Sequence, residues 1–240
     1  ELFTQLHCLQ PRWFRTYTAF RYRYCNAKLT NFGLDVRGSS CQEELHYIMR
    51  QGMMVRRLKD MLDLPPKTRE AWRLELPSTL LKDLRAGWNE WSRLNEVIHH
   101  SGSEEAKSEA FFQRKSLLSD LFRKTCAAKK NAVAKFVRDL LEREDKFLFF
   151  GYHKDMLDCV QEQLGVKHIR IDGSTPAERR PALVRQFQED EDTRVAVLSI
   201  GAAGTGLTLT AASTVVFGEL YWVPGSILQA EDRAHRIGQK

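Results

Sequence analysis

The sequence predicts an α/β protein: a mainly parallel sheet with helices on both faces, preceded by a mainly helical extension. Three observations predict it. From Lys146 onward, short apolar runs alternate with stretches of helical character. Those runs are nearly continuous rather than alternating, the pattern of strands buried on both faces. Ahead of residue 146, apolar residues recur at helical spacing instead.

Taken in order, the first 60 residues interleave Trp13, Phe14, Tyr17, Phe20, Tyr22 and Tyr24 with Arg12, Arg15, Arg21 and Arg23. Such a stretch either stacks bases and holds phosphates or forms a core with arginines reaching off its edge. The second is the commoner fate. "MMVRRLKDMLDLPPKTRE" is expected to be helical up to the break at Pro65-Pro66. Residues 78–130 read as helices with a polar break at "HHSGSEEAKSE", a solvent-facing hairpin. "KNAVAKFVRDLLERED" sets Val133, Phe136, Val137, Leu140 and Leu141 on one face of a helix. "KFLFFG", "HIRI", "RVAVLSI" and "STVVF" are the expected strands. Helices are expected around 154–164, over "PAERRPALVRQFQED" and across the final motif. The expected divisions are a helical linker segment at 1–76, a helical hairpin insertion at 77–130 and the sheet-bearing lobe at 131–240.

Composition narrows the class. At 42% hydrophobic and 28% charged residues, the chain resembles an ordinary soluble globular protein. No apolar run approaches ~20 residues, so no membrane span is expected. The start, "ELFTQL", has neither Met nor a secretory segment and reads as part of a longer protein. Cys8, Cys25, Cys41, Cys126 and Cys159 form no C-x-x-C pair, which argues against a zinc site or a disulfide frame and for a reducing compartment. The net charge of +6 is uneven. Residues 1–80 hold 13 Lys and Arg against 8 Asp and Glu, whereas residues 146–240 hold 11 against 12. A basic flank suits a polyanion, nucleic acid first, or else a solvated surface.

In parallel sheets ligands sit at the carboxyl ends of the strands, and the polar motifs are expected there. "IRIDGSTPAERR" offers a Thr175–Glu178 capping box with Pro176 at the first helical position. Its free N–H groups could seat a phosphate, although Glu178 would compete with one and a plain helix start explains the motif equally. "SIGAAGTGLTLTAAS" carries Gly201, Gly204 and Gly206, which permit close backbone approach to a ligand. It is neither a Walker A loop nor a dinucleotide fingerprint. In "FGELYWVPGS", Glu219 ends a strand, and Trp222 either wedges against nucleic acid or caps the core. In "ILQAEDRAHRIGQ", a helix would align Gln229, Arg233 and Arg236 on one face. Two arginines one turn apart form a fork suited to phosphate oxygens. The alternative is a salt-bridged helix, since Asp232 and Arg236 lie at i, i+4.

These four motifs, in this order, resemble the second RecA-like lobe of superfamily-two DNA motors of the Swi/Snf type. "QAEDRAHRIGQ" is similar to their last motif, "LSIGAAGTGLTL" with "VVFGELYWVP" to the one before, and "KFLFFGYHKDML" and "RIDGST" to the two earlier ones. "VRRLKDMLDLPPK" resembles the linker ahead of that lobe. Within the type, "RYCNA", "LPPK" and "TLTAAS" look closest to the annealing helicases, nearest their zinc-finger-bearing members. Ile200 stands where many such motors have Thr, Gly218 where Ala is usual, and Val223 where Asn or Asp is expected between Trp and Pro.

The resemblance implies roles. Arg233 and Arg236 would be arginine fingers, with Gln229, Gly204 and Gly206 beside the nucleotide. Arg170, Gly173, Ser174, Thr175, Ser199 and Trp222 would contact DNA. ATP and Mg2+ would be held mainly by a first lobe, because this chain has no Gly-x-x-x-x-Gly-Lys-Thr and no Asp-Glu-x-His. Implied partners are double-stranded or forked DNA, the missing N-terminal ATPase lobe, and a sliding clamp or single-strand-binding protein docking outside this chain. The implied activity is DNA-dependent ATP hydrolysis for DNA rewinding, fork remodelling and repair in the nucleus, with this chain inactive alone. The competing class is a non-catalytic lobe that only binds DNA or protein, and ATPase assays on a two-lobe protein separate the two.

Overall fold

The four apolar runs pair into one parallel sheet. In the computed structural model, which describes residues 2–30, 33–55, 61, 64–202, 206–236 and 238, the strands are β3 (Phe147–Gly151), β4 (His168–Ile171), β5 (Val195–Ser199) and β6 (Thr214–Phe217). They follow the elements β1 (Lys28–Thr30) and β2 (Gly33–Asp35). The sheet order is β4-β5-β3-β6, all parallel. The two central strands are the most continuously apolar, and both are almost wholly buried.

Alternation along the strands sends side chains to two cores. On one face Leu148, Phe150, Ile169, Ile171 and Leu198 pack with Phe187 of α7 (Arg180–Glu189) and Ala230 of α8 (Pro224–Glu231). On the other, Phe147, Phe149, Val195 and Val197 pack with Val133 and Val137 of α5 (Glu104–Leu140) and with Met156, Leu157 and Val160 of α6 (Lys154–Gln163). The sheet is therefore covered on both faces.

α5 and α4 (Ser78–His100) form the helical hairpin. The expected polar break reduces to a turn at 101–103, because the Ser103 hydroxyl accepts the Ala106 N–H and restarts a helix at once. α5 contains neither Pro nor Gly, so it runs on to Leu140 and the boundary expected at 130–131 falls inside it.

The chain divides into two compact units, Glu1–Asp63 and Leu64–Lys240. The first holds α1 (Leu2–Leu9), α2 (Tyr17–Tyr24), the antiparallel β1–β2 ribbon and α3 (Gln42–Gly52). Its core is Leu6, Phe14 and Phe20, so part of the aromatic stretch is core, while Trp13, Tyr17 and Tyr22 are exposed. The helix expected between Met53 and Pro65 lies largely outside the described residues. Residues 64–77 have no regular structure, and among the described residues no helix is long and apolar enough to cross a membrane.

Candidate functional site

Glu219 ties the end of β6 to the end of β3. Its buried carboxylate accepts the N–H groups of Tyr152 and His153 at 2.9 Å each, and it lies 2.7 Å from His153 Nδ1. Ile200 N–H donates to Gly151 and Gly218 N–H to Phe150. A side chain at Gly218 would put its Cβ 2.6 Å from the Phe149 ring, which accounts for glycine there. Cys126, His153 and Glu219 have ligand atoms within 4.8 Å of one another. Burial, then the Glu219 charge, push the Cys126 thiol up to about 12, and the Glu219 carboxylate is occupied by the N–H groups that follow β3.

Aromatic side chains border this knot. Trp222 is 55% exposed, with its ring centroid 4.9 Å from Phe122, and Tyr152 stacks on Tyr221 at 4.8 Å. Trp222 is thus a surface residue rather than a core cap. Val223, the N-cap of α8, makes no side-chain cap bond.

The loop after β4 folds around Asp172. Ser174 donates to it through backbone and hydroxyl, and the Asp172 N–H donates to Thr175 Oγ1 at 3.0 Å. The expected capping box does not form, because Thr175 is occupied in this turn and α7 begins only at Arg180, with Pro181 in its first turn. Gly173 and Ser174 are exposed. Arg170, expected to meet a phosphate, does not offer a free guanidinium: it donates to Asp172, Asp158 and Gln161 within this unit.

Gly204 lies outside the described residues. Ser199 is half-buried at the end of β5, and Gly206 is exposed with φ +76, open on the side where a Cβ would stand. The next residues receive the two arginines. Arg233 Nη1 donates to Leu207 O at 3.4 Å, Arg236 Nη1 to Thr208 Oγ1 at 3.1 Å, and Leu209 N–H to Arg233 O at 3.0 Å.

The single helical face expected for Gln229, Arg233 and Arg236 is not formed. α8 ends at Glu231, Asp232 caps it, and the arginines follow in tight turns, leaving Gln229 exposed on the helix. The turn packs against Leu207, Thr208 and Leu209, in the segment between β5 and β6. The i, i+4 alternative is modified too, since Arg236 Nε donates to the Asp232 carbonyl. Arg233 is 6% exposed, and its Nε has no hydrogen-bond partner among the described residues. Burial, then the neighbouring Arg236 charge, lower its pKa. The turn therefore holds two adjacent cations, one of them dehydrated, an arrangement that favours an anion.

Sequence reasoning did not identify the partners of this turn. Lys67 Nζ lies 2.7 Å from Glu231, and Arg69 grips the same carboxylate in a fork at 2.7 and 2.9 Å. The cations after Pro65-Pro66 and the acid before the arginines were the available signal.

The family described as helicase conserved C-terminal domain matches residues 128–238. The chain is 45% identical over 249 residues to the DNA annealing helicase and endonuclease ZRANB3 of Mus musculus, covering 100% of this chain and 22% of that protein. It is 40% identical over 246 residues to the SWI/SNF-related matrix-associated actin-dependent regulator of chromatin subfamily A-like protein 1 of Xenopus tropicalis, covering 100% of this chain and 25% of that one. The chain thus spans about a quarter or less of these two relatives. Its fold is similar to the C-terminal part of the Fun30 ATPase domain, with TM-score 0.54 and 21% identity over 74% of this chain and 83% of that one.

Proposed function

Residues 128–238 belong to the helicase conserved C-terminal domain family, as a C-terminal RecA-like lobe of the Swi/Snf type, and on that premise we propose that the chain is the second motor lobe of an ATP-dependent double-stranded DNA translocase. The observation that carries the proposal is the arginine turn. Arg233 is buried beside Arg236, and its Nε–H has no partner among the described residues. Such a pair stabilises charge that develops on a transferring γ-phosphoryl group.

Arg233 and Arg236 would act on ATP bound against another lobe, with Gln229, Gly204 and Gly206 as further nucleotide contacts. Among the described residues Lys67 and Arg69 occupy Glu231 beside this turn. In this reading ATP and Mg2+ are held mainly by the other lobe, and the chain alone does not turn over ATP. DNA would lie along the carboxyl edge, on the exposed Gly173–Thr175 turn, Ser199 and Trp222. The relative named as a DNA annealing helicase supports a role in DNA rewinding, and the proposal extends that role to fork remodelling and repair in the nucleus.

Arg236 provides the cleaner test, because it is less buried than Arg233. In the full-length protein, Arg236→Ala should cut DNA-stimulated ATP turnover by about 10³-fold, or about 4 kcal/mol of transition-state stabilisation. DNA affinity without nucleotide should hold. Arg236→Lys should rescue poorly, since an ammonium does not reproduce the guanidinium fork. Normal turnover in the Ala variant would sink the assignment. Arg233→Ala should reduce turnover and also destabilise the lobe, since its side chain is part of the fold.

A further inference from the structure

α8 ends badly for a helix. Glu231 is its last residue and Asp232 its cap, two carboxylates where the helix dipole favours cations. Glu231 is also 8% exposed. A buried carboxylate at that end needs partners, and they come from far along the chain. Lys67 and Arg69 stand 164 and 162 residues away, in an extended stretch that begins at Pro65-Pro66. They make three charge-assisted bonds to Glu231, and Lys67 also lies 3.8 Å from Asp232 Oδ1. His235 Nε2 lies 2.9 Å from the Pro65 carbonyl, so the same stretch touches both ends of the arginine turn.

A carboxylate has about four acceptor positions, and three at Glu231 are taken. Arg233, two residues on, makes no close ion pair among the described residues and feels only the longer-range charge of Asp232, whereas Glu231 has two close partners. The charges are sorted: the acid is neutralised by the extended stretch, and the arginine is left for something else.

We infer that Lys67 and Arg69 are positioning residues for the arginine turn, engaging Glu231 so that residues 232–236 are fixed and the Arg233 guanidinium is not neutralised by its own neighbour but left for an incoming phosphate. The inference rests on the reading of Arg233 and Arg236 as the groups that face the nucleotide. It assigns a role in turnover to a segment that carries no motif of phosphate chemistry.

The test uses the full-length protein with Lys67→Gln and Arg69→Gln combined, Arg69→Lys alone, and Glu231→Gln added to the double variant. The double variant should lose about 10²-fold in DNA-stimulated kcat, as for a reacting group displaced by about 1 Å, with little change in the KM for ATP. Arg69→Lys, which keeps the charge and loses the fork, should fall between it and wild type. Glu231→Gln should restore much of the loss in kcat by removing the acid set free to pair with Arg233, measured at a temperature where every variant is fully folded, since neutralising an unpaired buried carboxylate restores stability as well. Hydrogen exchange supplies the independent readout. Amides of residues 233–236 should exchange roughly tenfold faster in the double variant while β3 and β5 stay protected. Unchanged exchange at 233–236, or a kcat loss that Glu231→Gln leaves in place, overturns the inference. Normal turnover in Arg236→Ala overturns the parent reading instead, and hydrogen exchange still decides whether the extended stretch fixes the turn.

Discussion

Asp172 is the residue on which the turn after β4 depends. Burial would raise its pKa, but the Ser174 hydroxyl and N–H and the Arg170 guanidinium outweigh burial and hold it at about 2, against an ordinary 3.8. A carboxylate depressed in the folded state contributes stability above its unfolded pKa and loses it as pH falls through the folded one. The contribution, on the order of 2 kcal/mol, should be complete above about pH 5 and decline toward pH 2. Urea unfolding of wild type and Asp172→Asn should show a gap at pH 6 that narrows as pH falls below 4. A gap constant with pH would rule out the carboxylate as its source. The same contacts explain what the sequence could not convey about Arg170. Its position at a strand end was legible, but Asp158 and Gln161 on α6, which occupy its guanidinium, were not. Arg233 and Arg236 stood out because their motif is local. Glu219, Lys67 and Arg69 act on partners 66 to 164 residues distant, and no periodicity records such a pairing.

Elements were legible where burial dictates composition. β3 and β5 must be apolar throughout because both faces are covered, and α5 shows its face through Val133, Ala134 and Val137. β1 and β2 were not legible: Lys28–Thr30 is exposed along its length and carries no alternation. The start of α7 and the end of α8 were misplaced for a related reason. Thr175 and Asp232 are both capping residues by type, and only the competing bonds at Asp172 and the turn at Arg233 decide how each is used. Val223 shows the converse, an element formed without its usual residue. Its φ of -99 and ψ of 104 suit a capping side chain, and it is exposed, yet valine has no acceptor for the free N–H groups of the first turn. Val223→Asn should therefore stabilise the unit by roughly 1 kcal/mol, read as a raised urea midpoint with an unchanged slope. A lowered midpoint would mean that valine makes an apolar contact worth more than the cap.

At the scale of the whole molecule, charge and fold are separated along the chain. The lobe with the parallel sheet is nearly balanced in its last 95 residues, and most of the surplus of cations belongs to the first 80. Pairing within the first unit removes some of it: Glu44 binds Arg23, and Asp35 binds Arg37. Arg12 and Arg15 remain exposed beside the exposed rings of Trp13 and Tyr17. If the chain holds duplex DNA, as its proposed function requires, these two arginines are the natural phosphate contacts, since the carboxyl edge supplies mainly backbone N–H groups and hydroxyls. Binding should then be weak and indifferent to sequence, with log K falling against log salt by about 0.9 for each phosphate neutralised. Fluorescence anisotropy on two unrelated duplexes should give superimposable salt titrations. Replacing Arg12 and Arg15 together by Gln should lower the slope by about 1.8, two contacts' worth, and leave the melting temperature near wild type because neither side chain is buried. An unchanged slope would mean that the basic flank is only a solvated surface and that DNA is held by the lobe alone. A strong preference between the duplexes would point instead to base readout, which phosphate contacts do not provide.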